Sequence, residues 1–217
     1  MSDNKIILVG GGGHCVSVID VIEQEGRFTI AGIVDKKNVG SKVLGYPIIA
    51  SDEELDRIAK EYTNFLITIG HVLTNEPRVR LFDRLRQLGG HFPTVISPRA
   101  YVSKHASVAE GTVVMHNALV NANAKIGKNT IVNTGAIIEH DASVGDHSHI
   151  STAAVVNGGC TIGNDTFIGS NAMIKHYVAI GDRVVVGAGA VVLKDLESNN
   201  TYVGNPAMAK IPDRSRS

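Results

Sequence analysis

Glu139, His140 and Asp141 stand side by side near the middle of the chain. An imidazole takes up a proton near neutral pH, and a neighbouring carboxylate orients the ring and steadies its charged form. Such a pair suits attack by an amine or hydroxyl on a thioester carbonyl, because the nucleophile must shed a proton. Either Glu139 or Asp141 could supply the carboxylate. A second run, Asp146 to His149, places His149 nine residues beyond His140. Nearer the N-terminus, Gly10 to Gly13 precede His14. A glycine turn at a helix start leaves backbone N–H groups open, which attracts phosphate. Asp35 stands where a dinucleotide fold places its ribose-binding acid, about twenty residues on. A strict GxGxxG would need glycine at Cys15, so the turn suits a nucleotide diphosphate without specifying NAD. Finally, Thr152, Ser170 and Ala188 recur every eighteen residues, with Gly158, Gly159, Gly169, Gly187 and Gly189 nearby. An extended ligand such as the coenzyme A arm could bond to backbone along that edge, although tight corners also call for small residues.

A strict repeat must position these groups. Val102, Val108, Val114, Val120, Ile126, Val132 and Ile138 fall six apart, and Val or Ile holds that register to Val192. Four residues after each stands a mostly small side chain, as at Ala118, Ala124, Thr130, Ala136 and Cys160. Neither a helix (3.6) nor an ordinary strand (2) has this period. It fits short parallel strands wound into a triangular prism, three hexads per coil. The branched residue fills the interior and the small one the corner. Sixteen hexads make about five coils. On one prism, His140 and His149 then face different directions and meet only near an edge or across a subunit boundary. The register alone is equally compatible with a non-catalytic solenoid scaffold.

Before the repeat, Lys5–Val9, Thr29–Val34 and Asn64–Ile69 read as buried strands. Helical spacing covers 14–25, 51–62 (with Ser51 as N-cap and acids in its first turn) and 76–88. The alternation predicts a small Rossmann-like parallel sheet. The fold class is therefore α/β plus all-β, dividing the chain into residues 1–96 and 97–217. Thr201–Ala207 reads as a turn that caps the last coil, and Lys210–Ser217 as a frayed polar tail.

Composition narrows the classes further. Hydrophobic residues make up 43% of the 217, charged residues 19%, and formal net charge is zero. No basic footprint points to nucleic acid. No apolar run approaches the ~18 residues of a membrane span, and the start of the chain lacks a secretory layout. Cys15 and Cys160 are expected to stay unpaired in a reducing, cytoplasmic setting. His140, His147 and His149 are not spaced to gather three imidazoles from adjacent coils, so no metal site is expected.

A glycine–histidine turn on a Rossmann-like lobe, followed by hexads containing Glu139-His140-Asp141, resembles the sialic-acid O-acetyltransferase and bacillosamine-pathway family. The similarity runs from Lys5 to Ala207. It implies a left-handed β-helix and transfer of acetyl from acetyl-CoA to the C4 amine of a nucleotide-linked 4-amino-4,6-dideoxy sugar. Acetylation of a sugar hydroxyl is the alternative within the family. By this resemblance His140 is the general base with Asp141 its acidic partner, and His149 contacts the acetyl carbonyl. Gly158, Ser170 and Ala188 offer backbone to acetyl-CoA. Gly12, Gly13, His14, Asp35, Lys36 and Gly70 hold the nucleotide sugar, and Asn133 lies near its amine. The resemblance also implies a homotrimer with acetyl-CoA between adjacent prisms. Cys15 departs from the family, which often has glycine there.

Overall fold

The structure, a computed structural model, describes residues 4–210. Of the expected polar tail, all but Lys210 lies outside those residues. The N-terminal lobe contains β1 (Lys5–Val9), α1 (Gly13–Glu25), β2 (Thr29–Val34), β3 (Lys42–Val43), β4 (Tyr46–Ala50), α2 (Leu55–Glu61), β5 (Asn64–Ile67) and α3 (Glu76–Gln87). The sheet order is β3-β4-β2-β1-β5. All pairings are parallel except the short β3–β4 hairpin at the edge. Central β1 is apolar from Ile6 to Val9, as suits a strand that helices cover on both faces. Ile6 and Leu8 pack with Val18, Ile19 and Ile22 of α1. Ile7 and Val9 pack with Leu55 and Ile58 of α2 and Leu81 and Leu85 of α3. The chain builds outward from β1 through β2 to β4, then returns to β1's other side with β5. That reversal opens a crevice at the C-terminal strand ends, where open α/β sheets bind ligands.

From Val95 onward the chain winds into a prism with three parallel sheets. Rungs pair eighteen residues apart, as in Leu119–Val120 with Ile137–Ile138. The sixteen rungs from Tyr101–Val102 to Val191–Val192 match the hexads one for one. Val114 to Val192 are buried at every sixth position, and the small residues four further on are buried with them. Val95–Ile96 already pairs with Val113–Val114, one hexad earlier. Thr201–Ala207 is not a simple turn. Thr201–Val203 adds a further parallel rung beside Val185–Val186, and Met208–Ala209 closes it antiparallel. The closing strand shields the last rung, which would otherwise present an open edge.

The corners have a logic of their own. From Val108 to Val186 the third residue after each inward Val or Ile takes a left-handed conformation: Gly111, Asn117, Asn123, Asn129, Gly135, Asp141, His147 and onward. Asn, Asp and Gly dominate because they tolerate it best. One corner also carries a column of hydroxyls, Thr112, Thr130, Ser148 and Thr166. Each donates to the carbonyl fifteen residues on, at 2.7–3.0 Å. Each also accepts the amide N–H eighteen residues on. The column satisfies polar backbone that burial would otherwise strand.

The three faces differ. On the first, Val95, Val113 and Ile131 share a core with α1 of the lobe. The second presents Tyr101, Leu119, Ile137, Val155, Met173 and Val191, an apolar stripe of partly exposed side chains. The third presents Ser107, Lys125, Ser143, Thr161 and Ala179 to solvent. Polar ties dock the lobe on the first face: Asn75 donates to Asp165 (2.7 Å) and to the His147 carbonyl (3.1 Å), and His116 meets Asp20 at 2.6 Å. The lobe and the coils therefore hold their sites in fixed relation.

Ile138 is fully buried in the middle of the stack. Ile138→Asp places an unpaired carboxylate there, costing several kcal/mol. We expect the thermal midpoint to fall by about 10 °C or more; a melting curve identical to wild type would contradict this packing.

Candidate active site

The crevice at the ends of β1, β2 and β5 is a cavity of about 430 Å³, within the range of small-molecule sites. Gly12 and Gly13 open α1 into it, with no acidic side chain in the helix's first turn. The free N–H groups and dipole of that terminus face the cavity and favour an anion. Gly10 has φ +110°, and a Cβ there would come within 2.4 Å of Ile69 Cγ1. Asp35 and Lys36 form one wall, and Gly70 the opposite side beside His14. The Asp35 carboxylate accepts from the N–H of Gly11 (2.6 Å) and of Lys37 (2.8 Å). It braces the glycine turn with both oxygens, a task the ribose-acid reading does not include.

Behind this cavity lies a buried histidine group. His149 projects outward from the first face, and its ring packs edge-on against His71 (5.3 Å between centroids) and Phe167 (5.2 Å). Its tautomer follows from its partners. Nδ1 lies 2.9 Å from the His71 carbonyl, so Nδ1 carries the proton. Asn133 Oδ1 accepts the Thr134 N–H, which turns Asn133 Nδ2 toward His149 Nε2 at 3.1 Å. Both ring nitrogens are therefore engaged, and Nε2, as an acceptor, has no hydrogen to offer an acyl oxygen. Among the described residues, neither ring nitrogen of His71 has a hydrogen-bond partner, and His14 Nε2 has none.

Burial, with the charge of Arg78 beside it, keeps this group neutral. Arg78 is fully buried, and it donates to the carbonyls of Ile67 (2.6 Å), Ile69 (3.0 Å) and Asn129 (3.1 Å). Among the described residues, no carboxylate pairs with it. Burial brings its pKa down to about 9, so it stays charged at neutral pH. Burial, aided by the Arg78 charge, brings His14 to about 3 and His149 to about 4. His71 falls to about 3 through burial, then the His149 and Arg78 charges.

His140 occupies a different edge, the corner between the second and third faces. Its Nδ1 donates to Asp141 Oδ2 at 2.8 Å, leaving Nε2 as the basic lone pair. Of the two candidate carboxylates, Asp141 touches the ring, while Glu139 is held by Asn121 at 2.7 Å. Asp141 takes the left-handed corner position (φ 61°) and also accepts from Asn123 at 2.6 Å. The bonds from His140 and Asn123 hold its carboxyl below the usual range. One coil further on, a Cβ at Gly158 would meet His140 Nε2 and Cε1 at 2.8 Å. Glycine there gives the imidazole its room. The His140 side chain is 53% exposed.

The expected residues thus gather in separate places within one chain. Gly12, Gly13, His14, Asp35, Lys36 and Gly70 share the lobe cavity. Asn133 and His149 meet behind it. Ser170 and Ala188 lie at the corner between the first and second faces, where Ser170 Oγ contacts Ser151 Oγ at 3.0 Å. His140, Asp141 and Gly158 lie across the apolar second face from them. Among the described residues, no three His, Cys, Asp or Glu side chains gather as metal ligands.

Comparison with known proteins identifies the arrangement. The PglD N-terminal domain model matches residues 5–85, and the bacterial transferase hexapeptide (six repeats) model matches residues 159–194. PerB from Caulobacter crescentus, solved with CoA and GDP-perosamine, is 34% identical with a TM-score of 0.89, covering 95% of this chain and 97% of that one. The chain belongs to the PglD-type family of nucleotide-sugar acetyltransferases. The acetyltransferase domain of PglB from Neisseria gonorrhoeae FA1090, solved with acetyl coenzyme A, is 31% identical with a TM-score of 0.91, covering 96% and 100%. UDP-N-acetylbacillosamine N-acetyltransferase from Bacillus subtilis (strain 168) is 34% identical over 116 residues; the match spans about half of each chain, 51%. The prism of this PglD-type chain is the family's left-handed β-helix.

Sequence reasoning missed His71, Arg78, Thr68 and Pro77. His71 carried a signal, since it follows a strand ending in glycine at the ligand edge of the sheet. Arg78 carried none among the four arginines of α3.

The histidine group sets an acid limit on stability. Its folded pKa values lie near 3–4, whereas unfolded histidine titrates near 6.5. Below about pH 6.5 the unfolded chain binds protons that the folded chain refuses, so stability falls as pH drops toward 4. The urea midpoint should be lower at pH 5 than at pH 7.5. His71→Phe should narrow that gap, and an unchanged gap would contradict the assignment.

Proposed function

We propose that this chain transfers the acetyl group of acetyl-CoA to the C4 amine of a nucleotide-linked 4-amino-4,6-dideoxy sugar. The observation that carries the reading is the His140–Asp141 dyad with Nε2 open over Gly158. Gly12, Gly13 and the α1 N-terminus take the diphosphate, beside Asp35, Lys36 and Gly70, with His14 beneath. The amine nitrogen adds to the thioester carbonyl while His140 Nε2 takes its proton. The tetrahedral oxyanion is met by backbone N–H along the Gly158 and Ser170–Ala188 edges. Collapse breaks the C–S bond, and the departing thiolate recovers the proton. Asp141 stays ionised and holds the ring's tautomer throughout. Transfer is direct, since Cys15 and Cys160 are both buried and neither is placed as a nucleophile. Asn133 and His149 shape the wall nearest the sugar amine, with His149 Nε2 unprotonated and acting as an acceptor.

The working unit is a homotrimer. The apolar stripe on the second face supports this, for it lies between the dyad's edge and the Ser170–Ala188 edge. A copy seated on that face brings the dyad of one chain to the lobe cavity of the next, with acetyl-CoA between the prisms. Three such contacts close a ring. The substrate and free cysteines suit a cytoplasmic enzyme. Among the described residues, no helix is long and apolar enough to cross a membrane.

Mixing the protein with acetyl-CoA and UDP-, dTDP- and GDP-linked 4-amino sugars should release free thiol with one of them. His140→Ala should lower turnover by a factor on the order of 10²–10⁴ with melting unchanged; wild-type turnover would remove His140 from the chemistry. The shared site has its own test. Gly12→Asp sets a negative charge in the phosphate site without a clash. Co-assembled His140→Ala and Gly12→Asp chains should regain activity that neither shows alone.

A further inference from the structure

The glycine-lined cavity does not end at Asp35 and Lys36. A recess of about 100 Å³ continues from it, walled by Asp52, Pro77, Arg80 and Leu81. It shares Gly10, Asp35, Lys36, Ile69 and Pro77 with the main cavity, so the two are continuous. Asp52 is firmly placed. Arg84 donates to its backbone carbonyl at 3.0 Å, and Glu54 closes back on the Ser51 N–H at 3.0 Å. Its carboxylate, half-buried, makes no hydrogen bond or ion pair among the described residues, and neither does the Arg80 guanidinium. Burial and the nearby Asp35 charge push the Asp52 carboxyl upward, while Lys36 and Arg80 draw it down. A carboxylate and a guanidinium therefore line one small recess, within each other's field but unpaired. Asp35 is not a third free acceptor, because both its oxygens already hold backbone N–H groups.

The order along the wall is that of a nucleotide. The α1 N-terminus suits phosphate, Asp35 and Lys36 stand where the ribose would pass, and the recess receives what lies beyond. Leu81 and Pro77 offer apolar surface to a ring. The polar groups discriminate among bases. A carboxylate only accepts, and it fits two N–H donors side by side. Guanine presents N1–H and the N2 amino group together, with O6 and N7 as adjacent acceptors for a guanidinium. Uracil and thymine present one N–H between two carbonyl oxygens, so a facing carboxylate meets an acceptor. Adenine sets its single amino group beside an acceptor nitrogen. We propose that Asp52 and Arg80 read the base of the bound nucleotide sugar and select guanine. This rests on the glycine-lined cavity holding a nucleoside diphosphate.

Calorimetric titration of the full chain with GDP, UDP, dTDP and ADP tests it. GDP should bind about ten- to a hundredfold more tightly than the others, the discrimination of a bidentate base contact. Asp52→Asn replaces one acceptor by an amino group, giving the donor–acceptor pair that the N3–H and O4 edge of uracil requires. The variant should lose at least about tenfold for GDP and bind UDP as well as or better than wild type. Arg80→Met should weaken GDP while leaving UDP unchanged. Wild type binding UDP or dTDP as tightly as GDP overturns the base assignment, and so does an equal loss for every nucleotide in Asp52→Asn. Binding of none of the four removes the diphosphate reading of the cavity, and this proposal with it.

Discussion

The repeating demand that one branched side chain enter the prism every six residues governs this molecule. The inward Val or Ile of every hexad from Val114 to Val192 is buried against its counterparts one coil above and below, and the parallel rungs hold that alignment without a slip. Small corner residues let the chain turn, and left-handed Asn, Asp and Gly residues let it turn tightly. The His140–Asp141 pair uses that same geometry. Asp141 occupies a corner position that Asn or Gly fills in neighbouring coils. Its carboxylate is brought beside His140 by the turn that the solenoid needs anyway.

A second constraint operates where the lobe meets the coils. Arg78 links the end of β5 to the Asn129 carbonyl, so one cation spans both parts of the chain. A buried charge without a carboxylate partner is costly. Here three backbone carbonyls accept from it, and the surrounding histidines remain neutral. The lobe's docking also fixes the glycine-lined cavity relative to the coils of its own chain.

The two parts of the fold were legible to different degrees. The prism could be read from sequence because its requirement recurs at each hexad, so local evidence accumulates. The lobe's strands and helices could be read from apolar runs and capping residues. Thr201–Val203 was misjudged as a turn because the six-residue period breaks after Val192, although pairing with Val185–Val186 continues. The dyad was visible because its partners are sequence neighbours. The His14, His71, His149 and Arg78 group was not, because it assembles from α1, the end of β5, a coil and α3. Asp35 shows the limit of motif reading. Its place after β2 was foreseen, but its bonds to Gly11 and Lys37 depend on how the turn folds back.

The stacked architecture also bears on how such an enzyme changes its substrate. Neighbouring rungs are separated by about 4.8 Å, the spacing of paired strands. A Glu-His-Asp triplet transplanted eighteen residues along the chain would occupy the same kind of corner one storey higher or lower, with the interior undisturbed. The gap between imidazole and glycine-lined cavity can therefore be lengthened or shortened in whole storeys, roughly the width of a sugar ring. A solenoid of this type carries a built-in ruler along which its chemistry can be moved without inventing a new fold.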